Sequence, residues 1–490
     1  MRKKILGAFA ALSAVAGGAY AQSPARPVAP TPIGTVGAYG GGMTDPMVRP
    51  ANAERYNEPV PPPMPGMGGP GMGGPGMGDH GMGGADPMMG LGGPGYPPPG
   101  PYGQLPYEQP VLGEGVFSAT APHRFYLDGQ YLLLFPESQP TNVPLLTTSA
   151  PADFGQLGAA TTTILQGNRN TLNLGTVSGF RVSGGMWRAD DQRVGVEVGG
   201  LYQSPSSATT FARSSSQGIP LIARPFTNAL NGQPASLVVS SPNTISGSAL
   251  VRGTTEFWGI EANALLNLFR TCPGECRLWQ LNLLGGYRYL ELQEGLGLSS
   301  MSTVLAGFVP AGGLVVGSPT SIDVRDQFNT VNRFHGAQVG LQSQFTSGRW
   351  YVGVTGKAAF GAMNERLEIT GSTSVVNPVA RTGSTTLGGL FANASNIGRY
   401  RTDRFAIVTD LNASLGFHFT SWLIGTVGYN FIHMSTVVRP GQQYDGRVNP
   451  NLVPTSALFG TAPPAGRPPI TLRQDDYFTH GLNFGFILRY

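Results

Sequence analysis

His433 and Ser435 stand two apart in one segment, the spacing of a base beside a hydroxyl nucleophile. Chemistry of that kind is acyl transfer, with the imidazole taking the hydroxyl proton. No third group that would orient the histidine is evident, and the sequence predicts no enzyme. Cys272 and Cys276 flank a Pro-Gly turn. Two thiols with no nearby histidine are too few for structural zinc. In an oxidising compartment they predict a small structural disulfide. Met67, Met72, Met77 and Met82, with Asp79-His80, offer soft donors for Cu(I). Compositional drift in a spacer explains them more simply, and no metal or cofactor is expected. Calcium at Asp445 alone lacks enough oxygen ligands. No phosphate loop or nucleotide fingerprint occurs.

The segments carrying these residues differ sharply in composition. Arg2, Lys3 and Lys4 precede a short apolar run, and Ala19-Tyr20-Ala21 is a small-x-small cleavage site. Residues 1–21 thus read as a secretory signal peptide. Residues 22–118 are rich in Gly, Pro and Met and form a disordered arm, expected in the periplasm. Residues 119–490 form the folded body. Only 12% of the chain is charged, against about a quarter in soluble domains. Three of the net +4 charges lie in the signal, so no basic stripe remains for nucleic acid. Mean hydropathy of −0.04 argues against a bundle of membrane helices.

The body alternates apolar and polar residues with period two. Ten strands are predicted: 124–135, 177–188, 193–203, 254–269, 278–293, 333–345, 349–369, 404–419, 422–437 and 476–490. In the third, Val194, Val196 and Val198 share a face and Glu197 lies opposite. In the fifth, Trp279, Leu281, Leu283 and Tyr287 oppose Gln280, Asn282 and Arg288. Segments 236–241 and 246–252 could add a hairpin, giving twelve strands.

A soluble sandwich also alternates, but three features favour an all-β transmembrane antiparallel barrel. Short links alternate with long ones, as periplasmic turns alternate with extracellular loops. Trp187, Trp279, Trp350 and Trp422 flank the short turns, where an aromatic belt meets the membrane surface. The last strand alternates to its end: Leu482, Phe484, Phe486, Leu488 and Tyr490 share one face. A terminal aromatic on such a face looks like the signal for barrel assembly, so Phe484, Phe486, Leu488 and Tyr490 are assigned that role. Lipid offers no hydrogen-bond partners, so a sheet crosses it only when closed.

At this level the chain resembles the beta-barrel porins of type seven, a family known mainly from planctomycete bacteria. The resemblance runs from about Phe125 to Tyr490. It rests on Tyr131-Leu132-Leu133-Leu134, Pro144-Leu145-Leu146, Gly179-Phe180-Arg181, and Gly285-Gly286-Tyr287-Arg288-Tyr289. The most specific block is Gly428-Tyr429-Asn430-Phe431 leading to Arg439-Pro440-Gly441-Gln442-Gln443-Tyr444-Asp445, then Asn449-Pro450. The Met/Gly/Pro arm is no part of the pattern. The resemblance implies an outer-membrane barrel and little about what is transported.

The polar strand faces should line the lumen, with Glu197, Glu261, Arg288, Lys357, Asp410 and His418 as candidates. Ten strands leave little free interior. The expected function is a narrow porin-like pore for passive diffusion of small polar solutes. The alternative is a non-conducting structural or surface-binding barrel acting through long extracellular loops. Arg439, Pro440, Gly441 and Asp445 open the last long loop; Arg439 and Asp445 could pair there, and plain turn chemistry is the simpler expectation. The His-x-Ser spacing is also similar to that of the outer-membrane phospholipase. Expected partners are outer-membrane lipids and the barrel-assembly machinery, and no nucleic acid.

Overall fold

The computed structural model describes residues 123–167, 171–271, 277–305, 317–461 and 470–490. The signal, the arm and the Cys272–Cys276 pair lie outside the described residues. Ten strands form a closed antiparallel ring: β1 Phe125–Pro136, β2 Val177–Trp187, β3 Val194–Arg213, β4 Ile245–Arg270, β5 Arg277–Val304, β6 Ser321–Ser347, β7 Trp350–Asn377, β8 Gly398–His418, β9 Leu423–Val438 and β10 Gln474–Arg489. Each strand pairs with its sequence neighbours. Pairing of β1 with β10 closes the ring, placing Tyr131 opposite Phe484. The ends are zipped by Phe125 and Tyr490, whose backbones exchange hydrogen bonds of 2.9 and 2.8 Å.

Alternation decides which face meets lipid. Val194, Val196 and Val198 are exposed, while Glu197 between them is buried. The same holds for Trp279 against Gln280 and for Leu411 against Asp410. The exposed apolar band spans Trp279 to Tyr289 on β5 and Val352 to Ala362 on β7. No helix of the described residues is long and apolar enough to cross a membrane, which leaves strands as the crossing elements.

The strands are longer than the alternation predicts. β5 and β7 each have 28 residues, roughly 90 Å of chain at about 3.3 Å per residue. Crossing at a tilt takes only about 9–11 residues. The excess projects from the long-loop end. There the loops fold rather than dangle. Ile222–Asn228 pairs with Pro234–Ser240 and with Leu146–Thr148, and Arg447–Val448 joins the same sheet. Three outer loops are thereby knitted into one cap. The possible twelfth-strand hairpin does not form: 236–240 belongs to this cap sheet and 246–252 is the outer part of β4. Trp187 also departs from expectation. It points inward and packs on Leu265, Leu284 and Tyr126, whereas Trp279, Trp350 and Trp422 face outward.

Candidate functional site

The lumen is filled in layers. At mid-membrane, three cations and three anions meet. Asp410 on β8 accepts from Arg288 on β5 at 2.7 Å and from Arg181 on β2 at 3.2 Å. Lys357 on β7 donates to Glu261 on β4 and lies 3.9 Å from Glu197 on β3. Arg288 also approaches Glu261 at 3.7 Å. Tyr126 donates to Glu197 at 2.5 Å, and Gln338 to Glu261 at 3.1 Å. Gly185 leaves room for the Tyr126 ring, since a Cβ there would stand 2.4 Å from it. Around the ring of ten, β2 and β8 are four strands apart, and β4 and β7, like β5 and β8, are three apart. Direct ion pairs between such strands span the lumen from wall to wall.

Five of the six expected lumen residues therefore meet in one cluster. His418 is also buried but sits at the last residue of β8, at the short-turn end. The alternation missed Arg181. Its inward phase, shared with Val177 and Gly179, was the available signal.

Above the charges the interior turns apolar. Leu132, Phe257, Leu292, Phe334, Met363, Ile432 and Met434 are at most 2% exposed and form one cluster with Tyr477. Next come Asn332 and Arg439. Asn332 holds the Val438 backbone from both sides, donating to its oxygen at 2.9 Å and accepting from its nitrogen at 2.8 Å. Arg439 is fully buried between Glu294 at 2.9 Å and Glu137 at 3.0 Å, with its guanidinium 5.5 Å from the Tyr477 ring centre. Their charge, opposing the burial, holds the Arg439 guanidinium above its usual range. Asp445 does not pair with Arg439; it accepts from the Arg447 backbone at 2.9 Å, a local turn bond. Pro440 and Gly441 are buried in a short helical turn, and a Cβ on Gly441 would meet the Pro140 oxygen at 1.8 Å.

The cap has its own core. Leu296, Leu298, Phe328, Leu367, Phe391, Tyr444 and Val448 pack together. Asp326, buried, accepts from Arg224 and from the backbones of Phe391 and Ala392 at 2.9 and 2.7 Å. One cavity at the short-turn end of the lumen measures about 90 Å³, and one beside the charged layer about 70 Å³. Sites for small molecules are usually about 300–1,000 Å³. These two have room for only a few heavy atoms.

The outward histidines have partners that the sequence did not reveal. Tyr287 and His335 are 2.7 Å apart, as are Tyr429 and His480. His433 lies 3.4 Å from Asp476, but no hydrogen bond joins it to Ser435. The Ser435 hydroxyl accepts from the Ile407 backbone at 2.8 Å, at the bulge that follows Met434. Among the described residues no cluster of three metal-ligating side chains occurs.

Comparison with solved structures returns an outer membrane protease and hydrocarbon-transporting proteins, among others. The outer membrane protease OmpT of Escherichia coli is 10% identical, with 75% of this chain and 97% of that chain covered and a TM-score of 0.31. The deltaS2S3 mutant of TodX, a monoaromatic hydrocarbon channel, is 8% identical over 76% and 92%, with a TM-score of 0.21. The toluene transporter TodX of P. putida is 7% identical over 76% and 91%, at 0.16. The protease among them removes the ground for excluding enzymes, so the expectation of no enzymatic activity is withdrawn. At these scores the likeness carries no activity to this chain. No curated protein matches. The family model described as putative beta barrel porin-7 matches residues 126–490, the whole ring and its cap, and the chain belongs to that family.

Proposed function

We propose that this chain is a closed outer-membrane barrel that works through its extracellular cap. On this reading, residues 1–21 direct export and are removed, and the arm of 22–118 lies in the periplasm. Lipids and the barrel-assembly machinery are its expected partners. The observation that carries the reading is the wall-to-wall pairing of Arg181 and Arg288 with Asp410 beneath an apolar layer. A water-filled path for polar solutes would have to break both. Opening the charged layer strands ions in a low-dielectric interior, and opening the apolar layer exposes Phe257 and Phe334. This favours the surface-binding alternative over passive diffusion.

The cap is suited to presentation. Its core is separate from the lumen core, and its loops are tied by the Arg224–Asp326 pair and the shared sheet. Single-channel recording of the refolded full chain in planar bilayers tests the proposal. The expected result is a heat-modifiable, folded barrel that gives no discrete openings. Stable, unitary openings in the same preparation would overturn it.

A further inference from the structure

The short-turn mouth of the barrel carries two guanidiniums that form no ion pair among the described residues. Arg270 ends β4 and Arg489 ends β10, and both line the cavity of about 90 Å³. His123, Gln280, Gln344 and Tyr351 line it too. Arg489 lies over the Tyr351 ring at 5.5 Å and makes one long bond to Gln344 at 3.4 Å. Among the described residues no carboxylate comes within salt-bridge distance of either guanidinium. The Nε of Arg270 is buried without a hydrogen-bond partner, and so is the Nε2 of His123. Burial, together with the charge of Arg489 and Arg270, holds the His123 imidazole below its usual range, so it is neutral and adds no further charge.

Two acids line the same cavity; each accepts a hydrogen bond, though one Asp128 oxygen is buried without a partner. Glu197 takes the Tyr126 hydroxyl at 2.5 Å and Asn263 at 3.4 Å. Asp128 accepts from Gln130 at 2.8 Å. Asp128 also lies deeper, two residues further along β1 than Tyr126, which is level with Arg489; Glu197 shares the Tyr126 row through Gly185. Two guanidiniums with no ion pair among the described residues repel each other and lose hydration. Their planar donor forks match a planar or tetrahedral oxyanion. The cavity has room for a group of a few heavy atoms.

We propose that the periplasmic mouth binds a small oxyanion, a carboxylate or a phosphate, between Arg270 and Arg489. Such an anion could arrive free or as the terminal carboxylate of a peptide. The guanidiniums would hold it, and the neutral His123 and the glutamines would supply further hydrogen bonds.

The test uses the folded full chain in detergent micelles, titrated calorimetrically. The probes are acetate, inorganic phosphate, and a dipeptide with a free C-terminus beside its amide. Sodium chloride at matched ionic strength is the control. Trp187, which lines the cavity, gives a second optical readout. We expect saturable binding of at least one oxyanion, weakened at least tenfold by Arg270→Gln and by Arg489→Gln. Arg325→Gln, on an exposed outer pair with Asp323, should leave it unchanged. Binding of the dipeptide but not its amide identifies a terminal carboxylate; preference for phosphate identifies that source. If Arg489→Gln fails to fold, Arg270→Gln decides alone. Heats no larger than those of chloride, or binding that survives Arg270→Gln, would overturn the proposal.

Discussion

Arg439 and Glu294 form an ion pair at 2.9 Å in which neither side chain has any solvent exposure. The arginine begins the loop after β9 and the glutamate projects inward from β5, across the ring. A second carboxylate, Glu137 at 3.0 Å, completes the set. The pair stands between the lumen core and the cap core, so it fixes how the last outer loop enters the barrel.

Removing one member of a buried pair costs about 3–5 kcal/mol, because the other charge is left without a partner. Arg439→Met leaves two carboxylates facing an apolar layer. It should lower the heat-modification midpoint more than Glu294→Gln, which leaves Arg439 with Glu137. Arg439→Met combined with Glu294→Met should recover part of the loss. Gel-shift midpoints of the three variants check the order, and an additive double variant would contradict it.

The mid-membrane cluster makes a second ordering. Asp410 serves two guanidiniums, whereas Lys357 is one of two cations near Glu261. Asp410→Asn leaves Arg181 and Arg288 without their shared anion. Lys357→Met leaves Glu261 with Arg288 and Gln338. Asp410→Asn should therefore be the more destabilising by at least about 1 kcal/mol, within the usual range for buried pairs. Urea titration of both variants in lipid vesicles measures the difference. Equal midpoints would mean that the cluster shares charge more evenly than its distances suggest.

How much of this was legible in the sequence follows from what meets lipid. Where the outer face is apolar, as at Val194, Val196 and Val198, alternation gave both strand and face. Above the membrane the outer face meets water. Residues 204–213, a run rich in Ser and Thr, then lose the contrast, although they continue β3. The inward phase of Glu261, Arg288, Lys357 and Asp410 was readable. Their pairing was not, because Arg181 and Asp410 are 229 positions apart and period two carries no information across the ring. Arg439 was singled out as a possible latch, but with Asp445. Its true partners, Glu137 and Glu294, come from other strands and could not be read from spacing. Trp187 was misread because a tryptophan at a strand end can face either way, and Gly195 beside it makes room inside.

Glu365 gives a pH dependence. It lies on β7 just beyond the apolar band, which ends at Ala362, and it has no exposure. Gln474 donates to one oxygen at 2.8 Å, and the other has no partner. Burial pushes its carboxyl up to about 8; the Gln474 bond and the nearby Arg404 oppose this, and Asp403 adds to it. The folded protein thus holds a proton that the unfolded chain releases near its ordinary value of 4.5. Stability from this group is full below pH 4.5 and declines as pH rises toward 8. The loss is on the order of 3 kcal/mol by pH 7. Glu365→Gln should flatten that slope, stabilising the barrel at pH 8 and changing little at pH 4. Thermal midpoints of both proteins across pH 4–9 test it, and parallel curves would place the titration elsewhere.

The extent of the lipid-facing band yields the last prediction. Leu411 faces outward near the middle of the band on β8, with Phe405 toward its outer edge. Val376 also faces outward, on β7, but far above Ala362 in the projecting extension. A charge at the bilayer midplane costs about 2–4 kcal/mol on the lipid face of a barrel, and near zero once it reaches water. Leu411→Arg should therefore destabilise the protein by about that amount in vesicles. Val376→Arg should be neutral there. The difference should shrink in detergent, whose thin micelle lets the guanidinium reach water. Equal costs at the two positions would mean that the projecting half of the strands is itself in lipid, and that the cap is not where the ion pairs and polar outer face put it.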